Sequence, residues 1–237
     1  SVANLGNAVA FGDANSTTLD ITGDVVANDN GIVEIYSGAT TLNSLSGSGK
    51  FIMHGDSVSA TGGGITVSNG IWYDGTNPNV GMVINGTDEF TLQTTAINKD
   101  VDITGGISMA NHNPGKIVLN IGSANDVNVS GDVNVSGTPD ETNPATSELN
   151  VTASDGDIVF NNGLSAIDGG VINADGLVVN ANTVDIDENS AISLNGSNSV
   201  TTNGLVSNAG DLDITGKQIT LSSLESAGGT TDVIATT

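Results

Sequence analysis

The chain has 237 residues and a formal net charge of −23, with 27 acidic residues against 4 Lys and Arg together. A surface this acidic repels phosphate, so the composition excludes nucleic-acid binding. Aromatic residues make up 3% of the chain and Cys is absent. Because a globular core of this size normally contains more aromatic bulk, the composition favours a narrow core of stacked aliphatic side chains.

Short alternating segments recur along the whole chain. The clearest copies read Leu/Val-Asp-Ile-Thr-Gly and occupy residues 19–23, 101–105 and 212–216. Looser copies begin at Val127, Val133, Leu149 and Ile192. Apolar residues at every second position predict a strand with one buried face, and the closing Gly permits a turn. One unit repeated in this way is typical of a solenoid.

The spacing of these units predicts the architecture. From Val151 onward the strand centres, among them Ile167, Ile172 and Val178, recur about every seven residues, so three strands make a coil of about 20 residues. We therefore predict an all-β chain, a right-handed parallel β-helix of about a dozen coils over residues 1–237 as a single elongated domain. The alternation places Ile186 and Ile214 inside this column, with Asp187 and Asp213 outside.

The ends and one internal segment depart from the repeat. Residues 1–12 are irregular, which predicts an N-terminal cap over the first strand edge. Residues 137–147 contain Pro139 and Pro144 without alternation and are expected to protrude as a loop. Alternation persists over residues 212–222, so we expect the carboxyl edge to continue into further coils or to associate end to end with another subunit. No apolar run approaches the length of a membrane span, and none is predicted.

The one concentration of aromatic residues is Ile71-Trp72-Tyr73, followed by a loop-like segment with Asp74 and Asn77. Exposed Trp and Tyr rings can stack on a sugar, and Asp and Asn can bind its hydroxyl groups. Trp72, Tyr73, Asp74 and Asn77 are therefore candidate glycan contacts. Packing of the rings against a loop or an end cap is the alternative.

The many carboxylates have two interpretations. Their charge keeps a long β-surface soluble and separate from its neighbours, which requires no cofactor. Alternatively, a cluster of them binds Ca²⁺, for which the candidates are Asp185, Asp187, Glu188, Asp211 and Asp213. The sequence contains neither an EF-hand loop nor the Gly-rich calcium repeat, so the first interpretation is favoured.

Catalysis by a polysaccharide-active β-helix enzyme is the third class to consider. Lyases of this architecture need a basic groove for an acidic polysaccharide, and the 4 basic residues are scattered. Carboxylate pairs two residues apart, such as Asp155 and Asp157, would share a strand face and could serve a hydrolase. Nothing marks one pair as special, and we predict a chain that is not an enzyme.

The repeats, the dense Asn and Gly turns, the absence of Cys and the run Leu42–Phe51 resemble one family in particular. They are similar to the β-solenoid exoproteins of Gram-negative bacteria, namely filamentous-haemagglutinin-like two-partner secretion proteins and autotransporter passengers. Asn77-Pro78-Asn79 is similar to the Asn-Pro-Asn signature of secretion domains, although the following Val80-Gly81 departs from it.

This resemblance implies export in an unfolded state with an outer-membrane secretion partner, and a secreted or cell-surface location. It also implies that the chain functions as an adhesin or as the shaft that carries one. The receptor would be a glycan or a protein on a host or other surface. The alternative that we carry forward is a self-assembling subunit of a surface layer or extracellular filament.

Overall fold

The computed structural model describes residues 3–4, 8–13, 15–73, 81–85, 89–95, 98–109, 115–121, 125–137 and 146–237, with side chains from residue 8 onward. Over these ranges the chain forms strands and no helix. The strands are β1 (Ala3–Asn4), β2 (Ala8–Phe11), β3 (Thr18–Ala27), β4 (Ile32–Ile35), β5 (Ala39–Gly47), β6 (Lys50–Met53), β7 (Ser57–Ala60), β8 (Ile65–Val67), β9 (Ile71–Tyr73), β10 (Gly81–Ile84), β11 (Glu89–Thr94), β12 (Val101–Ile103), β13 (Ile107–Met109), β14 (Lys116–Ile121), β15 (Val127–Val129), β16 (Val133–Ser136), β17 (Ser147–Phe160), β18 (Leu164–Ile167), β19 (Gly170–Ala181), β20 (Val184–Ile186), β21 (Ala191–Asn208), β22 (Asp211–Ser226) and β23 (Thr230–Ala235).

The strands pair in parallel and sort into three ladders. The first ladder runs through β2, β4, β6, β10, β9, β13, β16, β18 and β20, and then through the carboxyl ends of β21 and β22. The second ladder runs through the amino halves of β3 and β5, then β7, β11, β14 and the amino parts of β17, β19, β21 and β22, and ends with β23. The third ladder takes β1, the carboxyl halves of β3 and β5, then β8, β12, β15 and the middle or carboxyl parts of β17, β19, β21 and β22.

Near both ends of the chain, paired strands lie about twenty residues apart, whereas the register pairs Ser57–Thr91 and Ile65–Val101 in its middle part are 34 and 36 residues apart. Ile172, Ile192 and Leu212 are successive neighbours in the second ladder and lie twenty residues apart. We call one strand from each ladder a tier. The second ladder has ten strands among the described residues, fewer than the dozen expected.

Among the described strands, the order within a ladder departs from the chain order once, between β6 and β13. There β10 lies between β6 and β9, with Met82 paired to both Phe51 and Ile71, although β9 precedes β10 in the chain. The first ladder thereby gains a strand that the other two ladders lack. The repeat counted from the sequence does not include this insertion, and β10 itself departs from the alternation, since all four of its residues are buried.

The core is a column of aliphatic residues enclosed by the three ladders. Inward residues of successive tiers stack directly, and one column of the second ladder contains seven successive buried residues. These residues are Val58, Leu92, Leu119, Val151, Ala174, Leu194 and Ile214. Burying one such Val, Leu or Ile side chain contributes about 1.5 to 3 kcal/mol, so stability accumulates tier by tier. The core is mainly aliphatic, as predicted, although Phe51, Phe90 and Phe160 are also fully buried in it.

The repeated pentapeptide is a strand followed by a corner, and it occurs in more than one ladder. Residues 19–21 and 212–216 belong to the second ladder, whereas Val101–Ile103 belongs to the third. Late in the chain the closing glycines Gly176, Gly196 and Gly216 align between tiers. A Cβ on Gly196 would overlap the carbonyl oxygen of Ser199, so the tight corner requires Gly there.

The inward and outward assignments are largely confirmed. Ile186 and Ile214 are buried and Asp213 is exposed, as the alternation predicts. Two residues used to count the strands lie in strands but do not point fully inward, since Ile167 of β18 is 36% exposed and Val178 of β19 is only half-buried. For Val178 the reason is a register shift beside Gly176, which moves the buried position to Val179.

The segments expected to depart from the repeat are only partly described. Within residues 1–12, β1 pairs with β3 and β2 pairs with β4, so this segment contributes strands to the ladders. Residues 138–145 of the expected loop lie outside the described part of the chain. At the other end, β23 pairs with β22 along one edge, and Val233 and Ile234 are 44% and 54% exposed. In the described ranges no helix is long and apolar enough to cross a membrane.

Candidate binding surfaces

The structure separates the two rings of the predicted aromatic site. Trp72 is half-buried on the outward side of β9, between Val83 and Ser108 of the adjacent strands. Its neighbour Tyr73 points into the core, where it is 4% exposed and packs against Gly115. Because successive strand residues point to opposite faces, the two rings do not form one sugar platform. Asp74 and Asn77 lie outside the described residues.

Trp72 has a polar atom that is buried. The indole Nε1 has no hydrogen-bond acceptor among the residues that the structure describes. A buried indole N–H normally finds a partner, so an unpaired one keeps the full cost of its desolvation.

The predicted acidic residues lie on two different surfaces. Asp185 projects from β20 in the first ladder, whereas Asp211 and Asp213 project from β22 in the second. Glu188 is exposed in the turn that follows β20. No three acidic, His or Cys side chains converge on a metal-sized site in the described ranges. Ca²⁺ binding by this set stays a prediction without geometric support.

Asp187 has a structural use that its sequence position did not indicate. Its carboxylate accepts hydrogen bonds from the backbone N–H of Asp168 at 2.6 Å and from the Ser190 hydroxyl at 2.6 Å. It also accepts one from the N–H of Asn189 at 3.2 Å. The carboxylate therefore shapes its own turn and ties it to the preceding tier.

Other carboxylates connect tiers in the same way. Asp100 accepts the N–H of Asp126 at 3.0 Å, and Asp126 accepts the N–H of Asp157 at 2.8 Å. Burial, together with the nearby charge of Asp126, raises the pKa of Asp157. Asp24 accepts hydrogen bonds from Ser44 and Asn43, each at 2.6 Å, and these lower its pKa. Part of the acidic composition thus satisfies polar groups at the corners of successive tiers.

A small cleft near the amino end contains a polar aromatic cluster that sequence reasoning missed. The rings of Tyr36 and His54 stack with centroids 4.2 Å apart. The Tyr36 hydroxyl donates a hydrogen bond of 2.5 Å to Glu34, and Nε2 of His54 lies 3.7 Å from the same carboxylate. The adjoining cleft has a volume of about 420 Å³ and extends to Asp56. Tyr36 and His54 are one period apart in sequence, so only the register of the strands reveals their contact.

The Glu34 carboxylate controls the ionisation of Tyr36. The hydrogen bond to Glu34, followed by burial and the charge of Glu34, raises the pKa of Tyr36. Glu34→Gln removes the charge and is expected to lower that pKa towards the ordinary range. Tyrosine ring-carbon NMR during an alkaline titration measures this shift. Glu89→Gln, on another ladder, should leave it unchanged; an equal response to both substitutions would contradict the assigned hydrogen bond.

A larger groove lies along the outward face of the second ladder. It has a volume of about 570 Å³, and its polar lining includes Lys116, Asn150, Asn173, Asp175 and Asn195. These side chains come from β14, β17, β19 and β21, so the groove extends over four tiers. We call it the second-ladder groove. The groove could not be found from the sequence. Its residues on neighbouring tiers are 20 or more positions apart, and their residue types are common throughout the chain.

Comparison of the chain with protein-family models, with curated proteins and with solved structures gives no match.

Proposed function

We propose that the chain is a right-handed parallel β-helix that acts without catalysis at the cell surface, as an adhesin or as the shaft that carries one. The observation that supports this most is the succession of three parallel ladders around one aliphatic column. A crossover between parallel strands is right-handed in nearly all proteins, which gives the handedness. With neighbouring strands about 4.8 Å apart, the ten-strand second ladder is roughly 45 Å long.

In an adhesin or its shaft, the outward faces of the three ladders would contact the other surface. An elongated scaffold of this kind offers polar surfaces and clefts over many tiers, as attachment to another surface requires. The contacts of Asp100, Asp126 and Asp187 favour a structural use of the carboxylates over a catalytic one. No cofactor is needed. A chain without Cys suits export in an unfolded state through an outer-membrane partner, because no disulfide can form on the way.

Two measurements on the purified chain test this proposal. Small-angle X-ray scattering should give an elongated particle that stays monomeric on dilution, and a compact sphere would overturn the β-helix. Beads coated with the chain should be retained on cultured epithelial cells under flow, above beads coated with an equally acidic globular protein. Retention supports the adhesin, whereas a monomeric rod without retention supports the shaft.

The alternative, a self-assembling surface-layer or filament subunit, is favoured by the exposed edge of β23. This edge carries Val233 and Ile234 at high exposure, and an unpaired strand edge is a template for pairing with another chain. If sedimentation velocity shows ordered polymers that Val233→Lys abolishes and Leu205→Lys does not, the assembly subunit replaces the adhesin as the preferred function.

A further inference from the structure

The second-ladder groove is lined by rows of polar side chains in register. One row contains Asn150, Asn173 and Ser193, which are direct neighbours on β17, β19 and β21. The next row contains Thr152, Asp175 and Asn195 on the same three strands. Similar hydrogen-bonding groups therefore recur once per tier, at intervals of about 4.8 Å.

Hydrogen bonds within and between tiers hold these side chains in place. Asn173 donates from Nδ2 to Oδ1 of Asn150 at 2.8 Å, and Asn150 donates from Nδ2 to Glu148 at 2.7 Å. In the second row, Asn195 donates from Nδ2 to Oδ1 of Asp175 at 3.0 Å. A ligand would meet polar groups that are already oriented, so little side-chain entropy is lost when it binds.

The same bonds leave acceptors available in the groove. Oδ1 of Asn173, Oδ1 of Asn195 and Oδ2 of Asp175 have no partner among the residues that the structure describes. Each Asn amide also keeps a second N–H. The groove thus offers both acceptors and donors, which suits a ligand rich in hydroxyl groups.

The charge of the groove selects against anions. The Lys116 ammonium lies 3.8 Å from Glu89 and 3.9 Å from Glu148, so two carboxylates offset the single cation. Asp175 adds a further negative charge, and the chain as a whole carries −23. An acidic glycan or a phosphorylated ligand would therefore be repelled.

Other ligand classes fit the groove less well. A peptide cannot extend the sheet here, because the strands under the groove already pair on both sides and only an edge can accept another strand. Ca²⁺ takes about six to eight oxygen ligands, whereas Asp175 is the one lining carboxylate outside the Lys116 ion pairs.

From these observations we infer that the second-ladder groove binds a neutral, extended oligosaccharide, which runs across the tiers with about one sugar residue per tier. The length of a pyranose unit in an extended chain is close to the tier spacing, so each sugar would meet an equivalent set of amide, hydroxyl and carboxylate groups. This inference rests on the proposed adhesin function and deepens it by naming the class of receptor and its site.

The test uses the full chain, labelled with ¹⁵N, and a panel of hexasaccharides. The neutral members are β-linked glucose, mannose, xylose and galactose hexamers, and the acidic member is a galacturonic acid hexamer. At least one neutral hexamer is expected to shift the side-chain amide signals of Asn150, Asn173 and Asn195. The acidic hexamer should bind less tightly than that neutral one.

Asn173→Ala should weaken binding about tenfold, because it removes an amide that contacts both the sugar and Asn150. The matched control is Asn128→Ala, which removes an Asn with a similar bond, 3.0 Å to Asp102, from the third ladder. This control should leave the affinity unchanged. Ser193→Val is a second groove variant in case Asn173→Ala alters the fold, which circular dichroism would show.

Three results would overturn the inference: no neutral hexamer moves the groove signals, the acidic hexamer binds more tightly, or Asn128→Ala weakens binding as much as Asn173→Ala. Bead retention separates this failure from that of the proposed function. If the wild-type chain attaches to cells and Asn173→Ala attaches equally well, the adhesin stands and the groove is not its receptor site.

Discussion

Replacing Val200 with Asp is expected to lower the free energy of unfolding by about 3 kcal/mol or more. Val200 is fully buried in the third ladder, stacked between Val179 and Ile219 of the adjacent tiers. An Asp there would place an unpaired carboxylate in the aliphatic column, where neither water nor a cation reaches it. Urea unfolding followed by far-ultraviolet circular dichroism measures the loss.

Thr201→Asp is the matched control, since it introduces the same side chain at the adjacent residue. Thr201 lies on the outward side of β21, between Asn180 and Thr220, and neither neighbour is charged. We expect a change below about 1 kcal/mol. Similar losses from the two substitutions would mean that the inward and outward assignments of this strand are mistaken.

The alternation of the sequence was sufficient to predict an all-β chain with a narrow aliphatic core. Ile186 and Ile214 could be placed inside because a strand has a period of two, which holds over each short run. The prediction failed where the period changes. At Gly176 the chain turns a corner with a register shift, so the buried residue is Val179 rather than Val178.

The pairing of the inserted strand β10 could not be predicted from the sequence. In the first ladder β10 lies between β6 and β9, although β9 comes before β10 in the sequence. All four residues of Gly81–Ile84 are buried, so this segment lacks the alternation of the repeat, but that pattern does not say which strands it pairs with. Topology of this kind is decided by long-range pairing, and local patterns carry no signal for it.

Which side chains meet in the candidate sites depends even more on the register in which the strands pair. That Trp72 and Tyr73 face opposite ways follows from strand geometry alone and could have been predicted once Ile71–Tyr73 was taken as a strand. The contact between Tyr36 and His54, by contrast, requires the pairing of β4 with β6. Asn150 and Asn173 are 23 residues apart, a spacing that differs from the usual twenty, so their row could not be aligned by counting.

The second large effect is expected at Gly47, where two strands approach closely. Gly47 has a φ of 140° and pairs with Ala27 in the third ladder. A Cβ at Gly47 would overlap the carbonyl oxygen of Ala27 and lie 2.9 Å from its amide nitrogen. Gly47→Ala therefore combines an unfavourable backbone conformation with a clash against buried backbone, which cannot move as a flexible side chain would.

We expect Gly47→Ala to cost about 3 kcal/mol or more, with faster hydrogen exchange at the amides of β3 and β5. Gly169→Ala separates the two causes, because Gly169 has a φ of 86° but no atom within 4 Å of an added Cβ. That variant keeps the conformational strain without the clash and should lose about 1 kcal/mol. Thermal and urea unfolding of both variants provide the comparison. Equal losses would mean that strand β5 does not approach Ala27 this closely, and the stacking of the first tiers would then have to be revised.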